Sequence, residues 1–152
     1  MTNEELKNRI TELLPQATFE EGGEWVNVVI DPKDWKTAAQ TLRNDEVLSL
    51  DYLFCLTCVD WKTHLTMVYH FSSTRHRGSI VVKAKLDKDK PEIETVSDIW
   101  KTAEFHEREV YEMFGVNFIG HPDLRLLILP DGWEARNPMR KDFEDPINMI
   151  KL

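Results

Sequence analysis

Between residues 47 and 86 the chain carries three apolar runs separated by connections of hairpin length, and this pattern restricts the fold more than any other feature. The runs are 47–61, 65–72 and 78–86, the second alternating through Leu65, Met67, Tyr69 and Phe71 and the third through Ile80 and Val82. Alternation with a period of two buries one face of a strand and leaves the other to solvent or to a partner. The connections Lys62-Thr63-His64 and 73–77 are too short for a crossover, so the three strands are expected to be antiparallel neighbours.

The rest of the chain supplies helices for this sheet. Thr2-Asn3-Glu4-Glu5 reads as a helix cap, with Leu6, Ile10, Leu13 and Leu14 at helical spacing until Pro15. A β-branched segment, 25–30, lies between Gly22-Gly23 and Asp31-Pro32, and a second helix is expected from about Pro32 through Trp35, Ala38, Ala39 and Leu42. A chain of 152 residues with 41% hydrophobic content suits one core. The expectation is an α+β fold, with helices packed on one mixed, largely antiparallel sheet: a domain over 1–118 and an extended C-terminal arm over 119–152.

Charge and cysteine content narrow the function. With 27 acidic against 19 basic side chains the chain repels phosphate backbones and anionic lipid, so nucleic acid and direct membrane insertion are not expected. No run approaches the roughly 20 apolar residues of a spanning helix. The first residues lack the basic and apolar parts of a signal peptide, which reads as cytosolic. Cys55 and Cys58 form a single CxxC inside a strand run, where thiols three apart point to opposite faces. They read as small core side chains rather than half of a zinc or redox site.

A third helix is expected to run to Phe114, capped by Val96-Ser97-Asp98 and stopped by Gly115. Val96, Ile99, Trp100, Ala103, Val110, Tyr111 and Phe114 form its apolar stripe. Glu107 falls within that stripe, and Phe105 stands on the opposite, charged face with Asp98, Lys101, Glu109 and Glu112. A carboxylate facing a core is costly unless paired. Glu107 therefore either meets an arginine of the tail, such as Arg125 or Arg140, or sits at the stripe edge with its head in water. Phe105 is either a docking residue or an isolated exposed ring. His106, Glu107, Glu109, Glu112 and His121 do not form HExxH, because Val110 stands four residues after His106. A metal site and a freestanding metal enzyme using Glu107, Glu109 and His121 are thus minor readings, and no catalytic, cofactor-binding or metal residues are assigned.

Beyond residue 116 no periodic pattern lasts, yet Leu124, Leu126, Leu127, Ile128, Leu129, Trp133, Phe143, Ile147 and Ile150 make the tail too apolar for a disordered segment. It is expected to be an arm with anchors, ordered on its own domain, on a partner, or on both. Its alternating charges, Arg125, Arg136, Arg140 and Lys141 against Asp123, Asp131, Glu134 and Asp142, suit a polar rim.

Read together, the segments 106–116, Gly120-His121-Pro122-Asp123-Leu124-Arg125, Leu129-Pro130-Asp131 and Arg140-Lys141-Asp142-Phe143 resemble the C-type subunit of NADH:quinone oxidoreductase, the 30 kDa subunit family of respiratory complex I. The strand end Cys58-Val59-Asp60-Trp61 and Ile99-Trp100 resemble it more loosely. The chain departs from the family pattern at Leu126, where a second arginine is usual, and at Arg136-Asn137, where a Gly-His pair precedes the proline. The resemblance implies a non-catalytic subunit of the peripheral arm, packed beside the quinone-site and terminal iron–sulfur subunits at the cytoplasmic face of the membrane. It would hold no cofactor, FMN and iron–sulfur clusters belonging to partner subunits. Signature or contact residues would be Phe105, Glu107, Arg108, Glu109, Tyr111, Glu112, Phe114, Gly115, His121, Pro122, Arg125, Arg140, Lys141 and Asp142. Related hydrogenases and dehydrogenases with other donors share the signature; the lack of fused domains favours a separate subunit of a bacterial-type enzyme.

Overall fold

The computed structural model describes residues 2–130, 133 and 137–143. The three alternating runs form β3 (Tyr52–Asp60), β4 (His64–Ser72) and β5 (Ser79–Asp87), consecutive and antiparallel as expected. Ahead of them come α1 (Asn3–Leu13), β1 (Thr18–Glu20), β2 (Val26–Val29) and α2 (Trp35–Asn44). The five strands join in the order β1-β2-β5-β4-β3, with β2 parallel to β5 and the other pairs antiparallel. This is the mixed, largely antiparallel sheet of an α+β fold. Then follow β6 (Glu92–Glu94), α3 (Ala103–Phe114) and β7 (Asn117–Ile119), with β6 and β7 forming a separate two-stranded parallel sheet.

One face of the large sheet carries the core. Leu65, Met67, Tyr69 and Phe71 of β4 and Ile80, Val82 and Ala84 of β5 meet Leu6 and Ile10 of α1, Trp35, Ala39 and Leu42 of α2, and Ala103 and Val110 of α3. Phe71 lies between two tryptophans, with ring centroids 6.0 Å from Trp35 and 4.5 Å from Trp100. Helix α1 has the full capping box: Thr2 accepts from the Glu5 amide, and the Glu5 carboxylate accepts from the Thr2 amide. Cys58 is buried on the core side opposite Met67, while Cys55 is half-buried opposite His70.

Several expected boundaries move, each for a local reason. The third strand starts at Tyr52, not at 47. Asp45, held by Arg9 at 2.6 Å, accepts the Leu48 amide and bends 45–50 into a loop that sends Leu48 and Leu50 into the core. The second helix starts at Trp35 rather than at Pro32, because the Asp31 carboxylate accepts the Lys33 amide and its carbonyl the Asp34 amide, making a turn. The third helix starts at Ala103, not at 96–98. Ser97 donates its amide to Thr95 Oγ1, and Thr102 sends its hydroxyl to the Leu53 carbonyl instead of capping. The strands β1, β6 and β7, three residues each, are too short for a periodic signal.

Candidate functional site

Helix α3 is the element on which the signature residues converge, and it sends polar groups in three directions. Toward the core, Glu107 is fully buried and meets Thr95 Oγ1 at 2.7 and 2.8 Å and the Val96 amide at 3.2 Å. Both sequence readings of Glu107 are thereby corrected: neither Arg125 nor Arg140 pairs with it, and its head is not in water. Its partners come from the segment just after β6, which no helical projection of α3 alone contains. Burial pushes the carboxyl up to about 7, against the pull of the Thr95 hydroxyl, the Val96 amide and Lys36.

Toward the arm, Arg108 and Glu112 act as a matched pair of backbone receptors. Arg108, 6% exposed, donates through Nε to the Arg125 carbonyl at 3.1 Å and through a terminal nitrogen to the Leu126 carbonyl at 2.7 Å. Glu112, 1% exposed, accepts the amides of Leu127, Ile128 and Leu129 at 2.8, 2.8 and 3.2 Å. Glu112, expected on the charged face opposite the apolar stripe, is instead buried against the arm: three successive amides form a concavity that a carboxylate fills. Five consecutive residues of the arm are thus held by main-chain groups, with Leu126 and Leu129 half-buried and Arg125, Leu127 and Ile128 exposed. Leu127 and Ile128 are 40% and 61% exposed. On α3 itself Phe105 is 56% exposed, with the Arg108 guanidinium 5.7 Å from its ring centroid.

At its C-terminal end α3 lacks basic residues in the last turn, and Gly115 ends it in the left-handed region at φ 79°. Residues 137–141 fold back to complete this end. Asn137 donates its amide to the Glu112 carbonyl, Met139 to the Met113 carbonyl, and Arg140 Nε to the Phe114 carbonyl at 2.6 Å, with a second Arg140 nitrogen on the Lys88 carbonyl. These are the last carbonyls of the helix, left without partners inside it. The Lys141 amide reaches Asp60 Oδ2 at 2.9 Å, and Lys88 bridges Asp60 and, at 3.9 Å, Asp142. Burial works to raise the Asp60 carboxyl, but the amides of Lys141 and Lys62 and the Lys88 ammonium outweigh it and hold the pKa below the usual carboxylate value.

The remaining signature residues spread around this clasp. His121 spends both ring nitrogens on the backbone, Nε2 with the Glu104 carbonyl at 2.9 Å and Nδ1 accepting the Asp123 amide at 3.0 Å, which suits the tautomer protonated at Nε2. Pro122, between them, is exposed, as are Glu109 and Arg125, and Arg125 pairs with Asp123. Tyr111 is half-buried against the core. Glu107, Glu109 and His121 do not converge, and among the described residues no group of three or more His, Cys, Asp and Glu side chains could hold a metal. Of the arm's alternating charges, Asp131, Glu134 and Arg136 lie outside the described residues, as do Ile147 and Ile150. Sequence reasoning missed Asp60, Thr95 and Asn137. Asp60 alone left a signal, an acidic residue closing an apolar strand two positions before Lys62.

This α+β fold has counterparts among solved structures. The chain superposes with a TM-score of 0.80 on a chain of an archaeal respiratory membrane complex, the membrane-bound sulfane sulfur reductase, at 28% identity over 93% of this chain and 85% of that one. It superposes on a trypsin-resistant fragment of Nqo5 with a TM-score of 0.67 at 25% identity, covering 80% and 98% of the two chains. Residues 28–147 match the family model for the 30 kDa subunit of respiratory-chain NADH dehydrogenase, and the chain belongs to this family. It is 47% identical over 105 residues to the NADH-quinone oxidoreductase C/D-type subunit of Phocaeicola vulgatus, a match that spans 68% of this chain and 20% of that protein. To the NADH-quinone oxidoreductase C-type subunit of Chloroherpeton thalassium it is 42% identical over 112 residues, 72% of this chain and 46% of that one. It is also 35% identical over 140 residues to the F(420)H(2) dehydrogenase C-type subunit of Methanosarcina mazei, covering 89% and 87%. The chain therefore spans between about a fifth and about half of the first two relatives. No helix among the described residues is long and apolar enough to cross a membrane.

Proposed function

We propose that the chain is a structural, non-catalytic subunit of the peripheral arm of a proton-pumping NADH:quinone oxidoreductase. In this reading it packs beside the quinone-site and terminal iron–sulfur subunits at the cytoplasmic face and supports electron transfer without a cofactor of its own. FMN and the iron–sulfur clusters belong to partner subunits. The observation that carries the reading is the clasp on α3. Arg108 and Glu112 hold residues 125–129 through their backbone and leave Leu127 and Ile128 exposed, and Phe105 of α3 is exposed as well. Exposed apolar side chains on a backbone already held by hydrogen bonds suit an obligate interface, since part of their ordering cost is met before binding. Relatives that carry the combined name C/D support a D-type subunit as the neighbour.

A second reading rests on the relative with the fullest mutual coverage among those above, the F(420)H(2) dehydrogenase protein: the same scaffold serving a complex with another electron donor. Both readings share one test. Arg108→Ala, and separately truncation after Leu129, are expected to reduce incorporation into the membrane complex and to lower its quinone reductase activity. Normal incorporation and activity in both variants would remove the scaffold reading.

A further inference from the structure

The chain carries a net charge of -8, yet the hairpin tip that joins β4 to β5 places Arg75, His76 and Arg77 side by side. All are exposed, and among the described residues their side chains have no hydrogen-bond or ion-pair partner. By contrast Arg9, Arg108, Arg125 and Arg140 are each engaged by a carboxylate or a carbonyl. The backbone beneath the basic tip is fixed. Ser73 donates its amide to the Gly78 carbonyl, and accepts the Arg77 amide on its carbonyl and the His76 amide on Oγ. Thr74 donates its amide to Asp51 Oδ1 at 2.9 Å and its hydroxyl to Asp51 Oδ2. Arg77 holds φ at 54°, in the left-handed region where glycine or asparagine is at ease and arginine is uncommon. A clamped, strained turn that presents unpartnered cations has the pattern of a functional loop rather than of a plain connection.

Contacts of neighbouring segments bring further groups to the same end of the sheet. Tyr52, the first residue of β3, pairs with Ser72 and is exposed. Trp100 Nε1 donates to the Leu50 carbonyl and Thr102 Oγ1 to the Leu53 carbonyl, so the exposed Lys101 between them stands at this end too. Of the carboxylates on the adjoining loop, Asp45 is paired with Arg9 and Asp51 with Thr74, which leaves Glu46 exposed. We propose that this end of the sheet, Arg75 and Arg77 above all, is a docking surface for clustered carboxylates of a partner protein, in addition to the exposed residues on α3 and the arm; the proposal rests on the assembly reading above. A guanidinium pairs with a carboxylate through two parallel hydrogen bonds, and arginine and tyrosine are the side chains that carry much of the binding energy in protein interfaces. An anionic bilayer or a nucleic acid extends over many Debye lengths of about 8 Å and would meet the acidic remainder of the chain, whereas a local patch of Asp and Glu meets only the tip.

The test uses the full chain, tagged at Met1 and expressed in its native cells. Arg75→Lys with Arg77→Lys keeps both charges and supplies amines, which a carbodiimide joins to carboxylates in direct contact. The expected result in the extracted membrane complex is a cross-link from residue 75 or 77 to an Asp or Glu of a second polypeptide, located by peptide mass spectrometry. Arg75→Glu with Arg77→Glu is expected to lower recovery of that polypeptide about tenfold or more, since like charges then face each other across the contact. Lys85→Glu, a charge reversal at an exposed site toward the other end of β5, is expected to leave recovery unchanged. Capture of the complex with no cross-link at 75 or 77 would overturn this docking surface while leaving the assembly reading intact, and recovery of the chain by itself would overturn both. An equal loss in Lys85→Glu would overturn the proposal by tracing the effect to net charge. Binding of the wild-type chain to phosphatidylserine vesicles that is lost in the doubly Glu-substituted variant would overturn it in favour of a lipid surface.

Discussion

Glu107 and Glu112 sit five positions apart on one helix, are equally hidden from water, and respond to their surroundings in different ways. Glu112 is met by three amides, so its charge is solvated by the arm's backbone, and each such bond to a charged group is worth roughly 1.5–3 kcal/mol. Glu112→Ala is expected to cost about 3 kcal/mol or more in urea unfolding and to free the amides of 127–129 for exchange; a loss under about 1 kcal/mol would mean that the arm is held elsewhere. Glu107 makes stability depend on pH. Its folded pKa lies above the ordinary 4.5, near 7, so the folded state binds the extra proton. Its stabilising effect is complete below about 4.5 and is lost as pH rises through about 7. The span corresponds to roughly 2–4 kcal/mol. Asp60, with a lowered pKa, stabilises above the usual carboxylate value and loses its effect as pH falls through its own. Stability of the wild type is therefore expected to decline from mildly acid toward alkaline pH, and Glu107→Gln to flatten that limb. An unchanged slope in Glu107→Gln would contradict the assignment. Gly115 gives a third residue-scale expectation. A Cβ there would lie 2.8 Å from Asn137 Nδ2, at a φ of 79° that side chains rarely adopt. Gly115→Ala is expected to cost about 1–2 kcal/mol in thermal or urea unfolding and to dislodge residue 137.

At the scale of elements, what was legible in the sequence tracks how local the physics is. The strands β3, β4 and β5 declare themselves because alternation and hairpin connections act between neighbours in sequence. Helix α1 announces its start through Thr2 and Glu5 for the same reason. The start of α3 was misplaced because Thr95 and Ser97 form a turn around a carboxylate twelve residues further along, and no propensity at 96–102 records that. The residues of the clasp are recognisable as a signature, yet helical projection puts Glu112 only on a charged face and not in contact with the arm. Its partners are backbone amides of 127–129, and amides have no sequence identity to read. Arg140 is similar, since its targets are the carbonyls of Phe114 and Lys88. Because Arg140 and the 137–141 backbone complete the C-terminal turn of α3, Arg140→Ala is expected to speed amide exchange at Asn137 and Met139 while leaving β4 protected. Protection unchanged at both sites would show that the helix end is closed without it.

At the scale of the molecule, the helices line one face of the sheet and residues 125–129 lie against α3, so on the proposed function the surface offered to other proteins is a composite of helix and arm. Phe105, Leu127 and Ile128 stand on it exposed, and large exposed apolar groups held by a rigid backbone mark interaction sites. The chain's role on this reading lies in assembly with other proteins of a respiratory complex. Gentle detergent extraction of native membranes, capture through a tag at Met1, and mass spectrometry with an NADH:quinone assay on the eluate test it most directly. The expected result is recovery of iron–sulfur and D-type subunits together with quinone reductase activity. Recovery of the chain by itself, with no redox or membrane partner and no activity, would contradict it.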